Sequence, residues 1–301
     1  MNGSSIKWLA GAGPVILFAA LLLLVCSYGI YAFLMEKRGR GTLAGNAARG
    51  LVRYGFLLRQ LVARDFKTKY KRSVLGMLWS LLNPLLTMTV QYIVFSRLFR
   101  FEIQNYPVYL LSGIVFFNYM SDATSQGLMS IVSNASLINK VYVPKYIYPF
   151  SRVLSCGVNF LLSLVALYIM IICTGMRITV NHIFVLYGVV CTFIFTLGVA
   201  FLLSALMVYF RDIQFLYGVF LQMWIYLTPL FYPESILHGW VMQIVKFNPM
   251  YHFIRFVRTI ILNGVLPEFK AWVFCAVFAV LPFIAGYWVF RKLQRRFILY
   301  I

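Results

Sequence analysis

Seven stretches of this chain are long and apolar enough to cross a lipid bilayer, and that feature limits every other reading. A spanning helix needs about 20 mostly apolar residues, and such runs occupy residues 8–35, 75–95, 108–132, 147–173, 182–209, 213–231 and 271–290. Lipid offers no hydrogen bonds, so each run must pair its own backbone groups; the fold class is an all-α integral membrane protein. Composition agrees. Only 11% of the 301 residues are charged, against about 25% in a soluble domain, too few to coat a water-facing globule. The five cysteines lie within or beside apolar runs without a CxxC pair, so neither a disulfide framework nor a metal site is indicated.

The first run exceeds the roughly 7–15-residue apolar core of a cleaved signal, and Lys7 is the only basic residue before it. Residues 1–36 therefore read as a retained extra spanning helix. Residues 37–72 form a second, basic unit: a Gly-rich linker followed by a patterned segment. Arg53, Gln60, Arg64, Lys67 and Lys71 share one helical face, while Tyr54, Leu58, Val62, Phe66 and Tyr70 repeat every fourth residue on another. That pattern predicts an amphipathic helix lying in the membrane interface, with its apolar face in lipid. Residues 73–301 carry the remaining six runs.

Lys and Arg number 27 against 7 Asp and Glu. Their position beside apolar runs points to cytoplasmic loops and anionic lipid rather than to nucleic acid. With residues 36–72 placed in the cytoplasm, nineteen of the basic residues fall on that side and eight on the other. The N-terminus is then outside and the C-terminus inside. Residues 232–270 begin and end on the outer side yet are partly apolar, so residues 233–265 are expected to form two short interfacial or re-entrant helices, split near Asn248-Pro249.

The sequence lacks a G-x-x-x-x-G-K-[ST] phosphate loop, an H-E-x-x-H pair and a D-x-D pair. Only Asp122 is a carboxylate deep within a run, which is thin provision for an ion relay. The chain reads as a conduit without its own engine.

Four stretches, in order, resemble the membrane subunits of type-2 ATP-binding-cassette exporters, in the branch that moves O-antigen, teichoic acid and capsular polysaccharide. They are Arg64-Asp65-Phe66-Lys67 leading to Leu78-Trp79 and Asn83-Pro84; Asn134 to Lys140 with Val143-Pro144-Lys145; Arg211-Asp212 with Thr228-Pro229; and Asn248-Pro249. The resemblance implies a six-helix core preceded by the interface helix, with two short outer helices before the last span. Residues 8–35 depart from it, since many members lack such a helix.

It also implies partners and sites. Two copies would form a homodimeric channel above two copies of a separate ATPase, with ATP and Mg²⁺ held there and no cofactor in this chain. The substrate would be an undecaprenyl-type lipid-linked glycan at the bacterial cytoplasmic membrane. Residues 134–143 match the family's coupling helix, which makes Asn134, Ser136, Leu137, Asn139, Lys140, Val141, Val143 and Pro144 candidates for ATPase docking. Arg53, Arg64, Lys67 and Lys71 are candidates for the lipid phosphate. Tyr92, Phe95, Phe116, Phe117, Tyr119, Phe220, Trp224 and Tyr226 are candidates for channel-lining aromatics. Rival readings are an exporter of a small hydrophobic drug or lipid with the same architecture, and a flippase without an ATPase.

Overall fold

A computed structural model describes residues 54–99, 103–138, 140 and 143–300. The extra helix expected at residues 8–35, the Gly-rich linker with Arg53, and Asn139 and Val141 lie outside the described residues.

Ten α-helices and no strand occur among the described residues. Helix α1 (Gly55–Tyr70) ends at Lys71, and Arg72, at φ 64°, turns the chain sharply into α2 (Trp79–Ile93). Helix α3 spans Tyr106–Met129, and a short α4 (Ala135–Ile138) follows it. Helices α5 (Ile147–Cys173) and α6 (Val185–Tyr209) are long and apolar, and α7 (Ile213–Leu227) is shorter. Helices α8 (Gly239–Lys246) and α9 (Pro249–Asn263) precede α10 (Phe269–Leu293).

All six expected core helices form, but among the described residues only four helical stretches are by themselves long and apolar enough to span: Gly76–Arg97, Ile147–Cys173, Val180–Tyr209 and Phe269–Phe297. The other two differ for physical reasons. Helix α3 is the centre of the bundle, packed against α2, α5, α6 and α9, so protein rather than lipid surrounds it and polar residues are tolerated. Helix α7 stops after 15 residues because Pro229 cannot continue it and Thr228 turns extended.

The tightest packing is between α6 and α10, where Gly198 faces Gly286. A Cβ at Gly286 would lie 2.8 Å from the carbonyl carbon of Gly198, and one at Gly198 would lie 2.6 Å from that of Pro282. Without a hydrophobic driving force between helices in lipid, such small-residue crossings let backbones meet and gain dispersion energy.

The pair α8 and α9 is split at Asn248-Pro249, as the sequence predicts. The Asn248 side chain accepts from the Met250 N–H at 3.0 Å, with Pro249 at the first helical position. Gly264, at φ 67°, closes α9.

One expectation changes here. The apolar stripe of α1 is not all given to lipid: Leu58 and Leu61 are buried, and α1 packs along α5. The Tyr70 hydroxyl donates to Asn159 Oδ1 on α5 at 2.8 Å. Gln60, Arg64, Lys67 and Lys71 remain on the exposed face.

Candidate functional site

Two knots of polar contacts, at opposite ends of α3, join the stretches that the sequence singled out. The first lies where α1 meets α5 and the α3–α4 corner. Asp65 is nearly buried, and its carboxylate takes Arg152 Nη1 of α5 at 2.9 Å and Arg64 Nη2 at 3.2 Å. Arg64 Nη2 also donates to Asn134 Oδ1 at 3.3 Å, while Asn134 Nδ2 donates to the Ser130 carbonyl at 2.8 Å. Interface helix, corner and span are thereby tied through one carboxylate. A pair this withdrawn from water is screened little by salt, and stripping one partner leaves a buried charge.

The coupling candidates differ in exposure. Asn134 is buried and bonded to Arg64 and Ser130. Ser136 and Lys140 are exposed, whereas Leu137 and Val143 pack partly against the core, and Pro144 begins the turn into α5. Next to it, the Lys145 ammonium donates to the Gln294 carbonyl at 2.7 Å and lies 5.5 Å from the centre of the Phe297 ring. Burial lowers the Lys145 pKa.

The second knot joins α7, α9 and the other end of α3. Trp224 Nε1 donates to Asn248 Oδ1 at 2.8 Å, and Asn248 Nδ2 donates to Thr228 Oγ1 at 2.8 Å. The Thr-Pro and Asn-Pro motifs are thus one hydrogen-bonded unit. Arg258 of α9 is 5% exposed and has no carboxylate partner among the described residues. Its guanidinium donates to the carbonyls of Pro229 at 2.7 Å and of Tyr109 and Leu230 at 3.0 Å, and its centre sits 3.4 Å from the Tyr109 ring centroid. The Tyr106 hydroxyl donates to the Phe231 carbonyl at 2.5 Å, and the Tyr109 hydroxyl to the Tyr232 carbonyl at 2.8 Å. The extended segment after α7 is therefore fastened carbonyl by carbonyl, in place of the hydrogen bonds a helix would supply.

Sequence reasoning counted Arg258 and Arg152 only as loop charge. The missed signal is positional: Arg258 falls on the buried stripe of α9 with Ile254 and Ile261, where an unpaired cation is too costly to be incidental.

The aromatic candidates divide into two groups. Tyr92, Phe220 and Tyr226 are exposed on α2 and α7. Phe95 stacks on Phe231 at 5.3 Å, and Trp224 is part-buried. Phe116 and Phe117, expected to line a channel, are 0% and 2% exposed. Phe116 packs edge-on to Phe160, and Phe117 edge-on to Trp224. As arranged in this subunit they are core residues, because α3 is wrapped by its neighbours. Tyr119 is also buried, stacked on Phe160 at 4.4 Å.

A helical bundle with four stretches long and apolar enough to span marks a membrane-embedded protein. The chain matches the ABC-2 type transporter family over residues 57–262, and it belongs to that family. It is a transporter rather than an enzyme. It is similar to the O-antigen export system permease protein RfbA of Klebsiella pneumoniae, at 30% identity over 251 residues, covering 81% of this chain and 95% of the relative. RfbA of Myxococcus xanthus is 29% identical, with 83% and 96% covered. The polysialic acid transport protein KpsM of Escherichia coli is 21% identical, with 77% and 91% covered.

Proposed function

We propose that this chain is the membrane-spanning subunit of an ATP-driven exporter of lipid-linked polysaccharide in the bacterial cytoplasmic membrane. The observation that carries this reading is its similarity to O-antigen export permeases along nearly their whole length. In the active assembly two copies face each other, with a separate ATPase of two copies beneath, holding ATP and Mg²⁺.

Two features of the subunit support that assembly. Helix α7 buries only Tyr217, and the α2 span is among the least buried, so both present wide apolar faces that lipid or a second copy must cover. Tyr92, Phe220 and Tyr226 lie on these faces, where rings can meet the C–H faces of sugars without the strong hydrogen bonds that would trap a sliding polymer. On the cytoplasmic side, Ser136 and Lys140 offer the docking surface, Asn134 fixes the corner behind them, and Asp65 and Arg152 pass its movement to α1 and α5. Arg64, Lys67 and Lys71 meet the lipid phosphates. The N-terminus is outside and the C-terminus cytoplasmic.

The test is gentle extraction of the tagged subunit from native membranes and mass spectrometry of what accompanies it. An ABC ATPase in about equal amount is expected. Its absence, with the subunit intact, overturns the proposal.

A further inference from the structure

Helix α3 is enclosed along most of its length, but one stripe of it is open, and that stripe is polar. Among residues 108–128 the exposed or part-exposed positions are Asn118, Ser121, Asp122, Ser125 and Gln126. Their spacing of three and four places them on a single side. A carboxylate and two amides cannot face hydrocarbon, so this side must face protein or a water-filled cavity.

A cavity is there. A cleft of about 280 Å³ between α2, α3 and α5 is lined by Asn118, Tyr119 and Asp122 of α3, with Trp79, Asn83 and Asn159 facing them. It adjoins a second cleft of about 470 Å³, reached past Lys69, Cys156 and Asn159, whose walls carry Arg64, Asp65, Arg152 and Gln126. From Gln126 to Val115 the lining runs along about three turns of α3, or about 16 Å at 1.5 Å per residue. That is roughly half of the ~30 Å hydrocarbon core. The stacked rings of Tyr119 and Phe160 form part of the groove's wall. It is a half-length groove beginning at the interface helix.

The chemistry of its walls is divided. The inner part has a carboxylate and amides with bonding capacity to spare: Asn118 and Asp122 make no side-chain hydrogen bond among the described residues. Trp79 stands beside them, 45% exposed. Carboxylate, amide and indole together suit a pyranose, whose hydroxyls need partners and whose C–H face needs a ring. The outer part has Lys69 beside Arg64 and Arg152, which share the Asp65 carboxylate on the same wall; three cations against one carboxylate leave a net positive charge that suits phosphate.

Resting on the polysaccharide reading above, we propose that this groove receives the lipid-proximal end of the glycan as a glycosyl phosphate. The phosphate lies against Lys69, with the net-positive Arg64–Asp65–Arg152 cluster behind it, and the first sugar lies between Trp79 and Asp122. Asp122 is then a positioning group for sugar hydroxyls, and the groove is a loading site distinct from the aromatic faces of α2 and α7.

The test replaces single residues with a benzophenone amino acid in the full transporter in native membranes, at Asn118 in the groove, at Phe220 on α7, and at Leu161, 57% exposed on α5. After irradiation the subunit is isolated and probed for glycan and for phospholipid. Glycan is expected on the Asn118 and Phe220 positions and not on Leu161. The isosteric Asp122→Asn change should lower glycan capture at Asn118 at least fivefold while the amount of assembled transporter is unchanged. Glycan at Phe220 without any at Asn118 overturns the groove and leaves the export reading standing. Phospholipid without glycan at Asn118 also overturns it. Glycan at none of the three, with the polymer still reaching the cell surface when the gene is deleted, overturns both.

Discussion

The crossing of α6 and α10 gives a quantitative test of how this bundle is held together. In Gly286→Ala the new methyl carbon falls 2.8 Å from the Gly198 carbonyl carbon, where carbon atoms require about 3.5–4.0 Å. The obstacle is backbone, which no rotamer change can move, so the helices must part by about 1 Å. A gap of ~0.5–1 Å forfeits a quarter to a half of a contact worth about 0.1–0.2 kcal/mol. Spread over as many pairs as one buried leucine makes, about 40–60, the loss is about 3 kcal/mol, at the upper end of ordinary overpacking costs. Gly157→Ala is the control, because its methyl would meet only the Tyr119 hydroxyl at 4.0 Å, and alanine favours a helix by roughly 0.5–1 kcal/mol. Thermal unfolding of the purified protein, followed by size-exclusion chromatography, should show Gly286→Ala lowered by about 6–12 °C, taking ~2–4 °C per kcal/mol for a chain of this size. Gly157→Ala should be unchanged or slightly raised. Equal midpoints for the two variants would refute close backbone packing as the source of stability here.

Other consequences are as direct. Asp65→Asn and Arg152→Gln should couple in a double-mutant cycle of thermal stability by about 1–3 kcal/mol, since they share a nearly buried pair; strict additivity would show that the pair is not formed. Asn248→Ala removes the acceptor of the Trp224 indole N–H and the donor to Thr228, at about 1–3 kcal/mol for an orphaned buried group. The indole emission of the Trp224→Phe difference spectrum should shift on that change, and an unchanged spectrum contradicts the contact. Lys140→Glu, on an exposed corner, should weaken ATPase co-purification several-fold without altering unfolding temperature, whereas Asn134→Ala should lower both.

How far the structure could be read from sequence depended on whether local pattern or distant contact decided the outcome. The spans were legible because lipid forces each helix to satisfy itself, and the break at Asn248-Pro249 was legible because asparagine caps and proline starts a helix locally. The burial of Phe116 and Phe117 was not: their apolarity is equally compatible with lipid, pore or core, and only the wrapping of α3 by α2, α5, α6 and α9 decides among them. The same holds for Asp65 and Arg152, separated by 87 positions and joined only when α1 lies down on α5. Asp122 was visible as an anomaly, a carboxylate within a run, but the groove that explains it is made by residues from four helices. Ser136 and Lys140 were reachable as docking candidates from the resemblance, while the burial of Asn134 behind them required the fold.

The most direct measurement is made on cells lacking this chain, comparing polysaccharide at the surface with lipid-linked polysaccharide retained in the cytoplasmic leaflet. Surface polymer should disappear and lipid-linked polymer accumulate inside, both reversed by the intact gene. Undiminished surface polymer with no internal accumulation would contradict the export role.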